Sequence, residues 1–159
     1  MSTLQKAAAT FTREMSGVIA AAIEAMPEDK QTWRPLDEGR DALDQLVEIA
    51  GLNFAVAETL KTKSFPPRND DAEAKFKAEL DTAPKALAAL RSSCEAVAVA
   101  LENLSDEDLE LTVTLPFRGG VERKLSWMAL LPARHMSYHW GQINYIQTLY
   151  GDKDMHMPG

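Results

Sequence analysis

Apolar side chains recur at three- and four-residue spacing along most of this chain, the pattern of helices that each bury one face. Leu4, Ala7, Ala8, Phe11, Met15, Val18, Ile19, Ala22, Ile23 and Met26 predict a first helix over residues 4–26, stopped by Pro27. A loop through residues 33–39 follows. Residues 41–62 predict a second helix. Between Leu46 and Leu60 it is apolar almost all round, so it is expected to be largely buried. Pro66 and Pro67 mark residues 63–70 as a loop, and a short charged helical piece follows at 71–80. Thr82 as cap and Pro84 in the first turn then open a third long helix running to about Leu104. Leu87, Leu90, Cys94, Val97, Ala98 and Leu101 share one stripe of it, and Cys94 there reads as a small core residue.

The period changes after a turn at 105–108. Residues 111–117 alternate apolar and threonine, Arg118, Gly119 and Gly120 form a turn, and residues 121–125 return as the second arm of a hairpin. The last helix is expected over 126–150, with Ser126 as its N-cap, Pro132 as a kink and Gly151 as its stop. The tail 152–159 reads as irregular. Four long helices, one short helix and a small hairpin make an all-α chain, most economically a single bundle domain over residues 1–159.

Composition narrows the partners. The chain has 159 residues, 45% hydrophobic and 26% charged, so a packed core is expected rather than disorder. A formal net charge of -7 argues against nucleic acid and against an anionic membrane surface, both of which need a basic face. No run reaches the roughly 18 apolar residues of a membrane span. The start of the chain lacks the basic-then-apolar order of a signal peptide, and a single cysteine excludes an intrachain disulfide. A cytoplasmic location is the expectation. Gly119 and Gly120 are not followed by the lysine and hydroxyl of a phosphate loop.

Chemistry concentrates in the last helix. His135 and His139 are two of three histidines, and their four-residue spacing stacks them on one helix face, where two imidazoles can close on one divalent ion. The plainer alternative makes each a core or boundary histidine with a hydrogen-bond partner. A zinc-protease signature is excluded, because Met136 stands where its glutamate would be. His156, in a methionine-rich tail, reads as solvated.

A third ligand is available on the second helix. Glu48 is the only charged residue between Asp44 and Glu58, and a buried carboxylate must be paired, protonated or metal-bound. Alternatively, Glu48 lies at the helix edge and reaches solvent beside Asp41 and Asp44. Asn53, Gln142 and Tyr138 are candidates to support the ligands from behind; alternatively Asn53 is a hydrogen-bonded core amide, Gln142 an interhelix contact and Tyr138 a core or interface aromatic. Trp127 and Trp140 are candidates for a homodimer contact.

The chain resembles the DinB/YfiT-like metalloenzyme family over nearly its whole length. The resemblance rests on Trp33, Arg34 and Pro35 before the second helix, on residues 46–50, and on Leu115, Pro116 and Phe117 before the last helix. Its most specific part is His135 and His139 followed by Trp140, Gly141, Gln142 and Ile143. It implies an all-α, up-down-down-up four-helix bundle with a short extra helix and a hairpin-like segment, often paired as a homodimer. It also implies a metal site of three histidines, one on the second helix and two on the last. His135 and His139 match the latter two, while Glu48 stands at the first position.

Two functions follow as expectations. In one, Glu48, His135 and His139 hold a divalent ion (zinc, nickel, iron or manganese), and the protein is a metal-dependent transferase or hydrolase. Its small-molecule substrate would be a low-molecular-weight thiol such as bacillithiol or mycothiol, as in characterised relatives that the resemblance implies. In the other, the protein is a non-catalytic, stress-related bundle that has lost its metal, and the three side chains form a polar plug.

Overall fold

Several helix ends in this protein fall where the backbone finds a partner for its unpaired groups. The computed structural model describes residues 3–117 and 119–158. Arg118 of the expected turn, together with Met1, Ser2 and Gly159, lies outside the described residues. The order of elements is α1 (Thr3–Glu24), α2 (Glu28–Gln31), a 3-10 turn (Pro35–Asp37), α3 (Ala42–Thr62), α4 (Asp70–Glu79), α5 (Ala83–Glu102), a second 3-10 turn (Asp108–Glu110), β1 (Thr112–Leu115), β2 (Val121–Lys124) and α6 (Leu125–Leu149).

Asp41 caps α3, its carboxylate accepting the Asp44 N–H at 2.7 Å. Thr82 precedes α5 without a side-chain cap, and Pro84 lies in the first turn. At the far end of α6, Gly151 adopts φ +100, and the N–H groups of Gly151 and Asp152 return to the carbonyls of Thr148 and Gln147, both at 3.1 Å. The expected cap at Ser126 is not used. The helix begins at Leu125, directly from β2, and the Leu125 N–H is taken by the Leu111 carbonyl at 2.9 Å. The hairpin itself does the capping. Nor are residues 33–39 a plain loop, since they hold the first 3-10 turn, and α2 precedes them.

The hairpin is antiparallel, pairing Thr112 with Lys124 and Leu115 with Val121. Val113 and Leu115 point inward and are buried, as their alternation requires.

The four long helices form an all-α bundle in which α5 and α6 each lie between α1 and α3. Side-chain pairs fix the directions. Gln5 reaches Leu104 and Arg91 reaches Glu24, so α1 and α5 are antiparallel. Ser137 lies on Met15 and Gln147 bonds the Ala22 carbonyl, so α1 and α6 are parallel. Gln45 meets His139 and Glu48 meets His135, so α3 and α6 are antiparallel. The result is the up-down-down-up order, with α3 and α5 parallel. A parallel pair cannot be joined by a tight turn. The chain must travel back along α3, and residues 63–82, including α4, make that return.

Two buried clusters fill the bundle. One joins Ile19, Ile23, Leu46, Ile49, Leu90 and Ile143, and the other joins Val56, Leu60, Val97, Leu101, Leu125 and Met128. Cys94 is buried as expected. In contrast, α3 is not buried all round: Gly51, Leu52 and Ala55 are half-covered and Phe54 is exposed. The two tryptophans do not make an open apolar patch. Trp140 packs on the first cluster, and the Trp127 ring meets the guanidinium groups of Arg123 and Arg134 at 5.3 and 5.1 Å. The exposed apolar residues of α6 are Leu130, Tyr138, Tyr145 and Leu149. Among the described residues, no helix is long and apolar enough to cross a membrane.

Leu46 is fully buried where α3 enters the first cluster. Leu46→Ala should cost about 2–5 kcal/mol through lost burial and a residual cavity, read as a lower urea midpoint with the helical signal retained in the folded baseline.

Candidate metal centre

Helical spacing brings three ligand atoms together. Gln45 and Glu48 are three residues apart on α3, and His135 and His139 are four apart on α6. Because the two helices are antiparallel, Gln45 faces His139 while Glu48 faces His135. The Nε2 atoms of the two imidazoles are 3.0 Å apart. Glu48 Oε1 is 3.4 Å from His135 Nε2 and 3.5 Å from His139 Nε2. One nitrogen from each histidine and one carboxylate oxygen thus form a nearly equilateral triangle.

Depth differs across the triangle. His139 is fully buried, His135 is partly covered, and the Glu48 side chain is 44% exposed. Glu48 is therefore a residue of the helix edge, as one of the two sequence alternatives had it, and it is paired rather than isolated. The Arg40 guanidinium bonds its outer oxygen, Oε2, and also bonds Asp44 at 2.7 Å. Lys77 of α4 bonds the other oxygen of Asp44. Burial alone would raise the Glu48 carboxyl, but Arg40 outweighs it and the group ionises below the usual carboxylate range. Glu48 is therefore anionic at neutral pH, with Oε1 turned toward the imidazoles.

The histidines are held neutral. Burial pushes His139 down to about 4, helped by its neighbour His135, and burial also lowers His135. Gln45 fixes the proton position on His139. Its Oε1 lies 3.1 Å from Nδ1 and can only accept, so Nδ1 carries the hydrogen and Nε2 keeps its lone pair toward the triangle. His135 Nδ1 is buried without a protein partner among the described residues. In the absence of a cation, the proton between the two Nε2 atoms must then come from His135. With the His135 proton on Nδ1 instead, both lone pairs and the carboxylate face one point. Neutral imidazoles and an ionised carboxylate are the protonation states that bind divalent metals.

The other sequence candidates lie at varied distances from this point. The Tyr138 ring meets the His139 ring edge-on, with centroids 5.1 Å apart, and the Tyr138 hydroxyl accepts a hydrogen bond from Gln142 at 2.9 Å. Both line a cavity of about 460 Å³ beside Arg40 and Gln45. Asn53 is one turn further along α3, and its amide donates toward the sulfurs of Cys94 and Met136 at 3.3 and 3.9 Å. It meets the core rather than the triangle. His156 pairs with Asp152 at 2.8 Å. Sequence reasoning missed Gln45 and Arg40. Gln45 carried a signal, since it precedes Glu48 by three residues on a helix and so shares its face. Arg40 lies outside the helix, and only the chain path from the 3-10 turn to Asp41 reveals it.

A model of the DinB superfamily matches residues 12–143, a span containing every residue of the triangle. No curated protein and no solved structure matches the chain.

The buried neutral state of His139 has a pH signature in metal-free protein. An ordinary histidine protonates near 6.5, and His139 only at about 4. Between those values the unfolded chain binds a proton that the folded chain refuses, so stability is full above about pH 6.5 and falls as pH drops toward 4. The loss is roughly 3 kcal/mol at most. Urea titrations of metal-free protein should show this slope, and His139→Gln should flatten it.

Proposed function

This chain belongs to the DinB superfamily, and on that footing we propose that Glu48, His135 and His139 hold a divalent metal ion used for thiol transfer or hydrolysis. The observation that carries this reading is the triangle of donors, with edges of 3.0, 3.4 and 3.5 Å. Nitrogen and oxygen ligands 2.0–2.1 Å from a four-coordinate ion are themselves about 3.3–3.4 Å apart. The donor chemistry agrees: two imidazoles and one carboxylate suit zinc, nickel, iron or manganese and leave positions open.

A bound ion of this kind lowers the pKa of a thiol or water so that it is a nucleophile at neutral pH. The protein's part is to prepare the ligands. Gln45 holds the His139 lone pair inward, and Arg40 keeps Glu48 ionised. A carboxylate in place of a third imidazole cancels one positive charge, so this site should activate its nucleophile less strongly than three histidines would. Because Arg40 draws on the same carboxylate, that cancellation is incomplete. A low-molecular-weight thiol is the co-substrate we favour.

One specific observation favours a second reading, a non-catalytic bundle with a role in stress. The 3.0 Å separation of the two Nε2 atoms is also an ordinary N–H···N hydrogen bond, and Arg40 already satisfies Glu48. The three side chains would then be a closed polar plug.

Elemental analysis of protein purified without a histidine tag, after metal reconstitution, separates the two. About one metal per chain is expected, lost in the His135→Ala/His139→Ala double variant. Protein that stays metal-free, or a double variant that binds fully, removes the metal reading. If Glu48→His binds metal where the parent binds none, the plug is the native state.

A further inference from the structure

Four of the five phenylalanines of this chain, Phe54, Phe65, Phe76 and Phe117, line one groove of about 1150 Å³ between α3 and the returning segment 63–82. They form two edge-to-face pairs, Phe54 with Phe76 at 6.2 Å and Phe65 with Phe117 at 5.9 Å. Pro66, Pro67 and Pro116 add rigid apolar wall. Glu48 and His135 belong to the same lining, with His139 buried behind them. The groove floor is the face of α3 that the sequence marks as apolar and the fold leaves half-covered.

The charges of the groove are all paired, three cations against four carboxylates. Arg40 meets Asp44 and Glu48, and Lys77 meets Asp44. Arg68 meets Asp70 and Glu73 at 2.6 and 3.4 Å. Among the described residues, every charged side chain in the lining therefore has an opposite partner within it. The single carboxylate in excess, shared through Arg68 by Asp70 and Glu73, disfavours an anion and is too little to hold a polycation. The roof is light as well, since α4 has no buried residue and meets α3 chiefly through Phe76 and the Lys77–Asp44 pair.

We infer that this groove binds the second substrate, a small uncharged molecule with an aromatic or branched apolar body and a polar head that reaches Glu48 and His135. The inference rests on the metal reading for the head and on the groove alone for the body. Aromatic walls supply edge and face contacts to a ring, and apolar burial supplies the affinity. The paired charges select against ionised bodies, because inserting one would strand it beside groups already satisfied. A dual site follows: the thiol approaches at the cluster, and the apolar partner lies along α3.

Two probes test the two halves. The first is N-phenyl-1-naphthylamine, an uncharged fluorophore, added to metal-free protein. Wild type should bind it, and the Phe54→Ser/Phe117→Ser double variant should bind about tenfold or more weakly. Both side chains are partly exposed, so removing them spares the core. Phe11→Ser, the remaining phenylalanine and exposed on α1, should leave binding unchanged. The second is a pair of hydroxamates read by the absorption of cobalt-reconstituted protein. Benzohydroxamate should bind about tenfold or more tightly than acetohydroxamate, and the double variant should erase that ratio while still binding acetohydroxamate. Equal fluorophore binding by wild type and the double variant overturns the groove. So does a sulfonated anilinonaphthalene that binds as tightly as the uncharged probe, or a hydroxamate ratio near one. Cobalt that does not bind, with fluorophore binding still lost in the double variant, overturns the metal-facing head and leaves the apolar site standing.

Discussion

The hydrogen bond from His139 to Gln45 is the contact on which the rest of the centre depends. It crosses from α6 to α3 inside the bundle, where an unpaired amide or imidazole would be costly. It sets the register of the two helices, and with that register Glu48 can only fall opposite His135. It also sets a tautomer, so a nitrogen lone pair rather than an N–H faces the carboxylate. Slide α6 by one residue against α3 and the histidine pair turns away from Glu48. Geometry and protonation are thus fixed by the same bond.

The groove depends on a different constraint, that of topology. Because α3 and α5 run in the same direction, the chain between them must retrace the full length of α3. That return carries too few apolar residues to seal against the helix below, and α4 buries none of its own. The apolar face of α3 is therefore roofed but not packed. A bundle with antiparallel neighbours at this position would have needed only a short turn, and Phe54 would have had no partner in Phe76. The cavity follows from how the helices are threaded, not from a local irregularity in any of them.

The sequence was a good guide wherever one helix face decides the outcome. Periodicity located α1, α3, α5 and α6, the alternation of Val113 and Leu115 located the hairpin, and the spacing of His135 and His139 located their shared face. It was a poor guide wherever two distant segments decide together. Ser126 looked like a cap, but the carbonyl of Leu111 does that work from the far side of a hairpin. Leu52, Phe54 and Ala55 looked buried because their pattern is apolar, and pattern does not reveal whether a roof fits. The spacing of Trp127 did not foretell the two arginines whose guanidinium groups meet its ring. Arg40 carried no pattern at all, since its importance comes from the fold bringing it onto Glu48.

The pairing of Arg40 with Glu48 also constrains how this site can be inherited. A neutral histidine at position 48 would leave Arg40 only Asp44 as a partner beside two imidazoles and an ion, whereas glutamate at 48 without Arg40 would lose the cation that holds it ionised. Either residue changed alone passes through a worse protein, so the two positions are expected to drift together and to couple energetically. In the sequences of relatives, the identity at position 40 should therefore forecast the identity at position 48.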